Sequence, residues 1–227
     1  KVMFLNYPNN PTGALAHPEF FKKVVDFANN YDIIVCNDGA YTEIVFEGVK
    51  PLSFLEIPGA KEVGVELNSL SKPYNMTGWR IGMMSGNAYV IAGMSESKAN
   101  ADSGIFAPVQ YAGIKALTGP QDNIAKMMEI YTRRRDLVID TFHRMGWSLE
   151  KPKATFYIWI PTPSRMKSMD FANFLFEKTA IVISPGVGYG SYGEGYFRIS
   201  LTISDDRLKE AMRRIEGIKD ELSSLFK

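Results

Sequence analysis

The first part of the chain places short apolar runs on either side of a helical pattern. Val2-Met3-Phe4-Leu5 and Ile33-Ile34-Val35-Cys36 are continuous apolar runs, the pattern of strands that are buried on both faces. Between the runs, Pro18 suits the first turn of a helix. It is followed at helical spacing by an apolar stripe, Phe21, Val24, Val25 and Ala28. Strand, helix and strand in this order predict a right-handed βαβ unit.

The same periodicities predict the remaining elements. The predicted strands are 63–67, 81–84, 156–160, 181–183 and 197–201. The predicted helices are 89–100, 108–117, 124–145, 171–178 and one that begins after Ser204, a suitable N-cap, and ends near residue 225. We therefore expect an α/β domain over residues 1–134 with a mostly parallel sheet, and a smaller α+β domain over residues 135–227. The boundary is placed within a long helix because the sequence contains no Gly/Pro/Ser-rich linker.

Composition and charge exclude several classes of protein. The 227 residues are 45% hydrophobic and carry a formal net charge of +1, so neither nucleic acid nor a membrane surface is an expected partner. No apolar run reaches the roughly 18 residues of a membrane span. Cys36 is the only cysteine, which excludes an intrachain disulfide and favours a reducing compartment such as the cytoplasm. His17 and His143 have no metal-ligand spacing with it, so no metal site is expected.

Polar side chains follow three of the predicted strands. Asn10 follows the first strand, Asp38 ends the second, and Ser69-Leu70-Ser71-Lys72 follows the third. Ligands of open parallel sheets bind at the carboxyl edge, where these strand ends meet. The sequence therefore predicts a ligand site that combines an amide, a carboxylate, a hydroxyl and an amine.

Two of these residues have both a chemical and an ordinary interpretation. Lys72 lies in an apolar, turn-rich segment that would partly bury its amine and favour a nucleophile, but most lysines are solvated surface residues. Asp38 could keep the ring nitrogen of a cofactor protonated, or it could form an Asx turn or a helix cap.

Two arginines are also candidates. Arg80, with Ser69 nearby in sequence, suits a phosphate group, although a structural ion pair is an alternative. Arg198 lies inside an apolar strand, where an arginine is costly unless it is paired. A substrate carboxylate and a structural carboxylate are equally suitable partners. The glycine-dense loop 186–195 follows a strand but opens no helix, so it is interpreted as a shaped loop and not as a dinucleotide-binding motif.

Four stretches together resemble the class I/II aminotransferases of pyridoxal 5'-phosphate (PLP) fold type I. They are Asn9-Asn10-Pro11-Thr12-Gly13, Asn37-Asp38-Gly39-Ala40-Tyr41, Ser69-Leu70-Ser71-Lys72 with Met76-Thr77-Gly78-Trp79-Arg80-Ile81-Gly82, and Phe197-Arg198-Ile199-Ser200. The resemblance implies part of the fold type I large domain followed by a smaller C-terminal domain. It also implies PLP as cofactor and the transfer of an amino group between an amino acid and a 2-oxo acid.

The resemblance assigns four residues to the reactive end of the cofactor. Lys72 carries the cofactor and moves the proton during the reaction. Asp38 pairs with the pyridine nitrogen, and Asn10 and Tyr41 donate hydrogen bonds to the phenolic oxygen. The Asn10–Pro11 peptide bond is often cis in such proteins, which is tolerable for a bond to proline.

The resemblance assigns further residues to the two anionic groups. Ser69 and Arg80 hold the cofactor phosphate, with Ser71 as a helper. Arg198 binds the α-carboxylate of the substrate, with Asn10 close enough to assist.

Segments 98–106 and 193–198 look most like the bacterial LL-diaminopimelate aminotransferases, which exchange an amino group with 2-oxoglutarate in lysine biosynthesis. Aspartate, alanine and aromatic aminotransferases remain alternatives, as does a PLP lyase or synthase on the same fold. The non-enzyme alternative is the PLP-sensing domain of a transcription regulator.

The chain starts within a predicted strand and so is expected to be a C-terminal fragment. Its site would be incomplete, and it would bind PLP poorly and be inactive alone. The full-length protein is expected to be a homodimer, with the Ser103-Gly104 region reaching the partner's site.

Overall fold

The computed structural model describes residues 1–50 and 52–226, and these form two compact units. The first unit contains residues 1–10 and 14–127, and the second contains residues 11–13 and those from 128 onward. The change from one unit to the other at Met127 and Met128 falls within one long helix, Asp122–Arg144. The predicted boundary between residues 134 and 135 falls within the same helix, and its assignment as a functional domain boundary stays a prediction.

The first unit is built on a four-stranded sheet. Its elements are β1 (Val2–Asn6), α1 (Pro18–Tyr31), β2 (Ile34–Asp38), α2 (Ala60–Val63), β3 (Gly64–Ser69), β4 (Gly82–Gly86), α3 (Ala88–Ala101), α4 (Ala107–Thr118) and the start of α5 (Asp122–Arg144). The strand order is β1-β2-β3-β4, with β1, β2 and β3 parallel and β4 antiparallel to β3. The predicted βαβ unit and the mostly parallel sheet are confirmed.

Helix α1 covers one face of this sheet through its apolar stripe. Pro18 occupies its first turn, and the helix ends before Asp32, which adopts a left-handed conformation with φ of 52°. Its stripe packs on the strand residue Val35 and on Phe54, whose ring meets that of Phe21 edge-on at 5.4 Å. Burying an apolar side chain of this size stabilises a fold by about 1.5–3 kcal/mol, so the stripe fixes α1 on the sheet.

Strand β1 is partly buried on one face and exposed on the other, so the prediction of burial on both faces is wrong. Met3 and Leu5 pack against the core under α1. The alternate residues Val2 and Phe4 are 59% and 74% exposed. β1 is the edge strand of the sheet, and a run of four apolar residues does not reveal whether its second face is covered.

The second unit contains a smaller antiparallel sheet. After α5 its elements are β5 (Tyr157–Pro161), α6 (Ser168–Thr179), β6 (Ser184–Pro185), β7 (Tyr196–Ser200), α7 (Asp205–Glu216) and α8 (Lys219–Ser224). β7 lies between β5 and β6 and is antiparallel to both. Apolar residues of β5 and β7, including Ile158, Ile160 and Phe197, are buried under the helices of this unit. The predicted smaller α+β part is therefore present.

Two predictions for the second unit are wrong. No strand is formed at the predicted residues 181–183, where Val182 is 82% exposed. The strand in this region is β6, which has two residues and begins at Ser184. The predicted final helix is two helices, since α7 ends at Glu216 and α8 begins at Lys219. Gly217 ends the first helix, as expected from its low helix propensity.

The cis peptide bond lies at a different proline from the predicted one. Tyr7–Pro8 is cis, whereas Asn10–Pro11 is not among the cis bonds of the described residues. Both are bonds to proline, for which the trans preference is small, and the sequence alone does not distinguish them.

None of the helices in residues 1–50 and 52–226 combines the length and the apolar character needed to cross a membrane.

Candidate active site

The structure brings Lys72 to the ring of Tyr41. Lys72 lies three residues beyond β3, and Tyr41 lies three residues beyond β2, so the parallel pairing of these strands places both at the same edge of the sheet. The Nζ atom of Lys72 is 5.6 Å from the centroid of the Tyr41 ring. Tyr41 is buried, and Lys72 is half-buried between the buried residues Ser71 and Pro73. An amine that is partly removed from solvent and adjoins a phenol is a suitable nucleophile.

Asp38 ends β2 and forms the Asx turn that was its ordinary interpretation. Its Oδ1 atom accepts a hydrogen bond of 3.1 Å from the backbone N–H of Ala40. Burial raises the pKa of the Cys36 thiol, and the nearby Asp38 charge raises this pKa further. The two side chains lie on the same face because residues two apart in a strand point the same way. A carboxylate can accept several hydrogen bonds, so the turn does not exclude a cofactor contact.

Asn6 links the segment of Asn10 to Asp38. The Nδ2 atom of Asn6 donates to the backbone carbonyl of Asp38 at 2.9 Å, and its Oδ1 atom accepts the backbone N–H of Asn10 at 2.9 Å. The sequence patterns did not single out Asn6, although an amide at the end of an apolar strand is a signal for such a link. The predicted site residues Asn10 and Asp38 are therefore tied to one edge of the sheet.

A series of hydrogen bonds holds the segment from Ser69 to Arg80. The Oγ atom of Ser69 accepts the N–H of Ser71 at 3.1 Å, and Thr77 Oγ1 donates to the Ser71 carbonyl at 3.2 Å. Arg80 donates from Nη1 to the Thr77 carbonyl at 3.0 Å. Arg80 is exposed, so its remaining guanidinium donors are accessible to an anion. Its backbone is in the left-handed region, with φ of 52°.

A buried glutamate of β3, on the face of the sheet opposite to the side chain of Asp38, was not singled out by the sequence patterns. Glu66 of β3 is only 3% exposed, and its carboxylate accepts four hydrogen bonds. The donors are Asn37 Nδ2 at 3.0 Å, the Phe54 N–H at 2.7 Å, Ser53 Oγ at 2.8 Å and Asn68 Nδ2 at 3.4 Å. An acidic residue inside an apolar strand was the available signal, since a buried charge requires such partners.

A cavity of about 570 Å³ opens beside this glutamate within the first unit. Its lining includes Gly39, Glu66, Ser69 and Tyr74. The volume falls in the range of small-molecule sites. Of the candidate site residues only Ser69 is in this lining, whereas Lys72, Asp38 and Tyr41 are not, so the cavity does not by itself mark the predicted site.

In the second unit, Arg198 lies among aromatic rings. It is the central residue of β7, between the buried residues Phe197 and Ile199. Its guanidinium carbon is 3.8 Å from the centroid of the Tyr157 ring and 4.9 Å from that of Tyr189. Aromatic faces attract a guanidinium and restrict its orientation, so both tyrosines help to position it.

The glycine-dense loop before β7 is a shaped loop, as predicted. A Cβ atom on Gly186 would lie 1.9 Å from the carbonyl oxygen of Gly193, so only glycine permits this approach of the two backbones. Glu194 fixes the loop to α6, because its Oε1 accepts the N–H groups of Ser168 and Gly195 at 2.5 and 2.9 Å. These hydrogen bonds lower the pKa of Glu194, and the one from the Ser168 N–H has the largest effect.

Comparison with known proteins defines the class to which this fold and site belong. The family model for aminotransferase class I and II matches residues 1–215, and the chain belongs to this family, which is PLP-dependent. The chain is similar to the LL-diaminopimelate aminotransferase of Moorella thermoacetica, with 56% identity over 218 residues, 96% of this chain and 56% of the relative. Similarity to the LL-diaminopimelate aminotransferase of Desulforudis audaxviator is 58% identity over 217 residues, 96% of this chain and 55% of the relative.

Solved structures support the same assignment. An aminotransferase from Staphylococcus aureus matches with a TM-score of 0.92 and 32% identity, covering 100% of this chain and 59% of that one. The substrate-bound structure of BacF from Bacillus subtilis matches with a TM-score of 0.91 and 39% identity, covering 96% of this chain and 56% of that one. The chain thus spans just over half the length of its relatives, and the expectation of the class I/II aminotransferase family is confirmed.

Proposed function

We propose that the protein containing this chain transfers an amino group between LL-diaminopimelate and 2-oxoglutarate in lysine biosynthesis. The observation that carries the proposal is the Lys72 amine beside the Tyr41 ring, at the sheet edge that also bears Asp38. The two LL-diaminopimelate aminotransferases to which the chain is similar support LL-diaminopimelate as the amino donor. Because the chain spans just over half of each relative, the proposal concerns the longer protein, and we expect the 227-residue chain alone to be inactive.

The groups at this edge fit the chemistry of PLP. The Asp38 carboxylate suits a protonated pyridine nitrogen, and Lys72 supplies an amine for the aldehyde. Tyr41 and Asn10 are suited to donate hydrogen bonds to the phenolic oxygen. The exposed guanidinium of Arg80, with the hydroxyls of Ser69 and Ser71, suits the phosphate dianion, for which charge-assisted hydrogen bonds are strong.

Each of these residues would have a distinct task in the reaction. PLP supplies, when bound, an electron sink for a bond to the substrate Cα. The Lys72 amine would take the proton from the substrate Cα atom as a general base. It would then donate that proton to the C4′ atom of the cofactor as a general acid. The Asp38 carboxylate would hold the proton on the pyridine nitrogen. Tyr41 would stay in place because it is buried.

Arg198 would bind the α-carboxylate of both substrates. A guanidinium matches a carboxylate in a two-pronged hydrogen-bonded pair, and the rings of Tyr157 and Tyr189 restrict the orientation of the guanidinium. The aspartate, alanine and aromatic aminotransferases share much of this residue pattern. The relatives named above do not favour these activities for the present protein. The same comparison gives no support to a PLP-sensing regulator.

Chemical labelling tests the central assignment. Borohydride treatment of the full-length protein with PLP is expected to attach the cofactor to Lys72, as read by peptide mapping. Lys72→Ala should abolish transamination and labelling, whereas Lys61→Ala, at an exposed lysine of α2, should change neither. Label on a different lysine would overturn the assignment.

A half-reaction screen tests the substrate. The absorbance of the bound cofactor is followed after mixing with LL-diaminopimelate, aspartate or alanine. We expect the largest rate constant with LL-diaminopimelate. A faster reaction with aspartate or alanine would replace the proposed donor and leave the aminotransferase class unchanged.

We further propose that the full-length protein is a cytoplasmic homodimer in which the Ser103-Gly104 region reaches the partner's site. Supporting this, helices α3 and α4 and the segment between them expose large apolar side chains. These are Tyr89, Met94, Phe106, Tyr111 and Ile114, which are 50–89% exposed. Large exposed apolar side chains are characteristic of surfaces that bind another protein. Light scattering of the full-length protein should give twice the mass of one chain, and a monomer would contradict the proposal.

A further inference from the structure

Glu66 connects three separate segments of the first unit. Its carboxylate accepts hydrogen bonds from Asn37 on β2, from the Ser53 hydroxyl and Phe54 amide at a short 3₁₀ turn, and from Asn68 on β3. The Ser53 hydroxyl also caps that turn by accepting the N–H of Leu55 at 3.1 Å. A buried carboxylate with four donors is well compensated, so Glu66 holds these segments in one arrangement.

The two asparagines held by Glu66 directly precede two residues of the candidate site. Asp38 follows Asn37, and Ser69 follows Asn68. Successive strand residues point to opposite faces of a sheet, so a restraint on each asparagine also fixes the direction of the next side chain. The strand register pairs Asn37 with Glu66, which keeps these groups on one face. The carboxylate of Asp38 and the hydroxyl of Ser69 are thereby directed to the opposite face.

The loop from Asp38 to Tyr41 also rests on this network. A Cβ atom on Gly39 would lie 2.9 Å from Thr42 Oγ1 in the same turn, 3.2 Å from Asn68 Nδ2 and 3.3 Å from the carboxyl carbon of Glu66. The Gly39 N–H donates to the Leu67 carbonyl at 2.8 Å, which continues the strand pairing past Asp38. The absence of a side chain at Gly39 lets the loop approach Glu66 closely, and this approach sets the start of the turn that carries Tyr41.

We propose that Glu66 is a positioning residue, which acts through Asn37, Asn68 and Gly39 to fix the cofactor-facing groups of Asp38 and Ser69. This inference rests on the proposed function for the role of those two groups. It does not assign Glu66 any contact with cofactor or substrate, because its carboxylate lies on the other face of the sheet. Glu66 instead sets where the contacting groups are held.

Two substitutions at Glu66 separate positioning from bulk stability. Glu66→Leu keeps roughly the size of the side chain but leaves four donors without their acceptor, of which those of Asn37 and Phe54 are buried. Glu66→Gln keeps one acceptor oxygen, and its amide can be accommodated if the Ser53 hydroxyl and the Asn68 amide turn to accept from it. The glutamine variant is therefore the conservative rescue.

A matched control and a milder variant complete the set. Val25→Ala opens a cavity in the core under α1 and lowers stability without removing any of the hydrogen bonds to Glu66. Asn68→Ala removes one donor and keeps the charge of Glu66, so it remains informative if Glu66→Leu does not fold.

The first measurement is hydrogen exchange of the full-length protein without PLP. The reporting amides are those of Ala40 and Ser71, which donate to Asp38 Oδ1 and to Ser69 Oγ. We expect Glu66→Leu to accelerate exchange at both by about tenfold or more relative to Val25→Ala, as for the loss of one buried hydrogen bond. Asn68→Ala should accelerate exchange mainly at Ser71, and Glu66→Gln should resemble the unsubstituted protein.

The second measurement is the PLP dissociation constant, read from the absorbance of the bound cofactor. We expect an increase of about tenfold for Glu66→Leu and of less than about threefold for Glu66→Gln and Val25→Ala. The inference would be overturned if Glu66→Leu showed the same exchange rates and PLP affinity as Val25→Ala. If Glu66→Leu does not fold, the same comparison is made with Asn68→Ala. If the unsubstituted protein bound no PLP, the proposed function would fail while the exchange measurement still decided the role of Glu66.

Discussion

The two sheets of this chain hold their functional side chains in different ways. In the first unit, the candidate residues lie where parallel strands end, and hydrogen bonds from neighbouring polar residues such as Asn6 and Glu66 hold the segments around them. In the second unit, Arg198 lies in the middle of an antiparallel strand and is held between the rings of Tyr157 and Tyr189. The first arrangement depends on directional bonds, and the second depends on packing.

This difference predicts how each region responds to substitution. A hydrogen-bonded strand end fails when a single donor or acceptor is lost, because the partner group is then left unsatisfied. A guanidinium on aromatic rings loses only part of its restraint when one ring is removed, because the second ring remains. Substitutions in the first unit should therefore affect catalysis more sharply than those around Arg198.

The largest effect is expected for Asp38→Asn. The asparagine oxygen can still accept the Ala40 N–H and so preserve the turn, but the neutral amide cannot hold a proton on the pyridine nitrogen. Turnover of the full-length protein should fall far more than PLP occupancy, which is read by absorbance. A fall in turnover below about tenfold, roughly 1.4 kcal/mol in the barrier, would show that Asp38 is only a turn residue.

A smaller effect is expected for Tyr157→Leu. Arg198 would lose its contact with the Tyr157 ring, worth about 0.5–2 kcal/mol, so its guanidinium would be less well oriented for a carboxylate. We expect KM for the amino donor to rise by about three- to tenfold with little change in kcat. Tyr192→Leu is the control, because the Tyr192 side chain is fully exposed. Equal KM values for the two variants would contradict a positioning role for Tyr157.

The sequence predicted where the strands end better than it predicted which side chains lie on each face of the sheet. Apolar runs and turn residues located β2 and β3, and with them the edge that carries Asp38 and Lys72. Those patterns do not record which face of a strand a polar side chain occupies, so Glu66 and Asn37 were not recognised as a network. Its formation depends on Ser53 and Phe54, which are 12 or more residues from Glu66 along the chain. Long-range hydrogen bonds of this kind leave no local periodicity.

The position of Arg198 shows the same limit in the second unit. Its place inside an apolar strand indicated a partner, and a carboxylate was the expected type. Tyr157 is brought to it by the β5–β7 pairing and Tyr189 by the glycine-dense loop, neither of which a strand pattern reveals. The exposure of Val2 and Phe4 was unpredictable for a similar reason, since coverage of an edge strand depends on other parts of a fold.

The smallest effect is expected for Glu210→Gln, which contrasts an exposed carboxylate of the second unit with the buried Glu66 of the first. On α7, Glu210 accepts hydrogen bonds at 2.8 Å from Arg213 and Arg214, which lower its pKa from 4.5 to about 2. A lowered pKa in the folded state contributes stability above pH 4.5 that is lost as the pH falls through about 2.

The Tm of the unsubstituted protein should therefore exceed that of Glu210→Gln slightly at neutral pH, and the difference should shrink as the pH falls from 4.5 towards 2. Because the pair is on the surface, salt should also reduce the difference. Glu177→Gln is the control, at an exposed glutamate of α6 with no ion pair among the described contacts. Melting curves recorded across this pH range decide the outcome. A Tm difference that grew on acidification, or one that Glu177→Gln reproduced, would show that the Glu210 pairs do not stabilise α7.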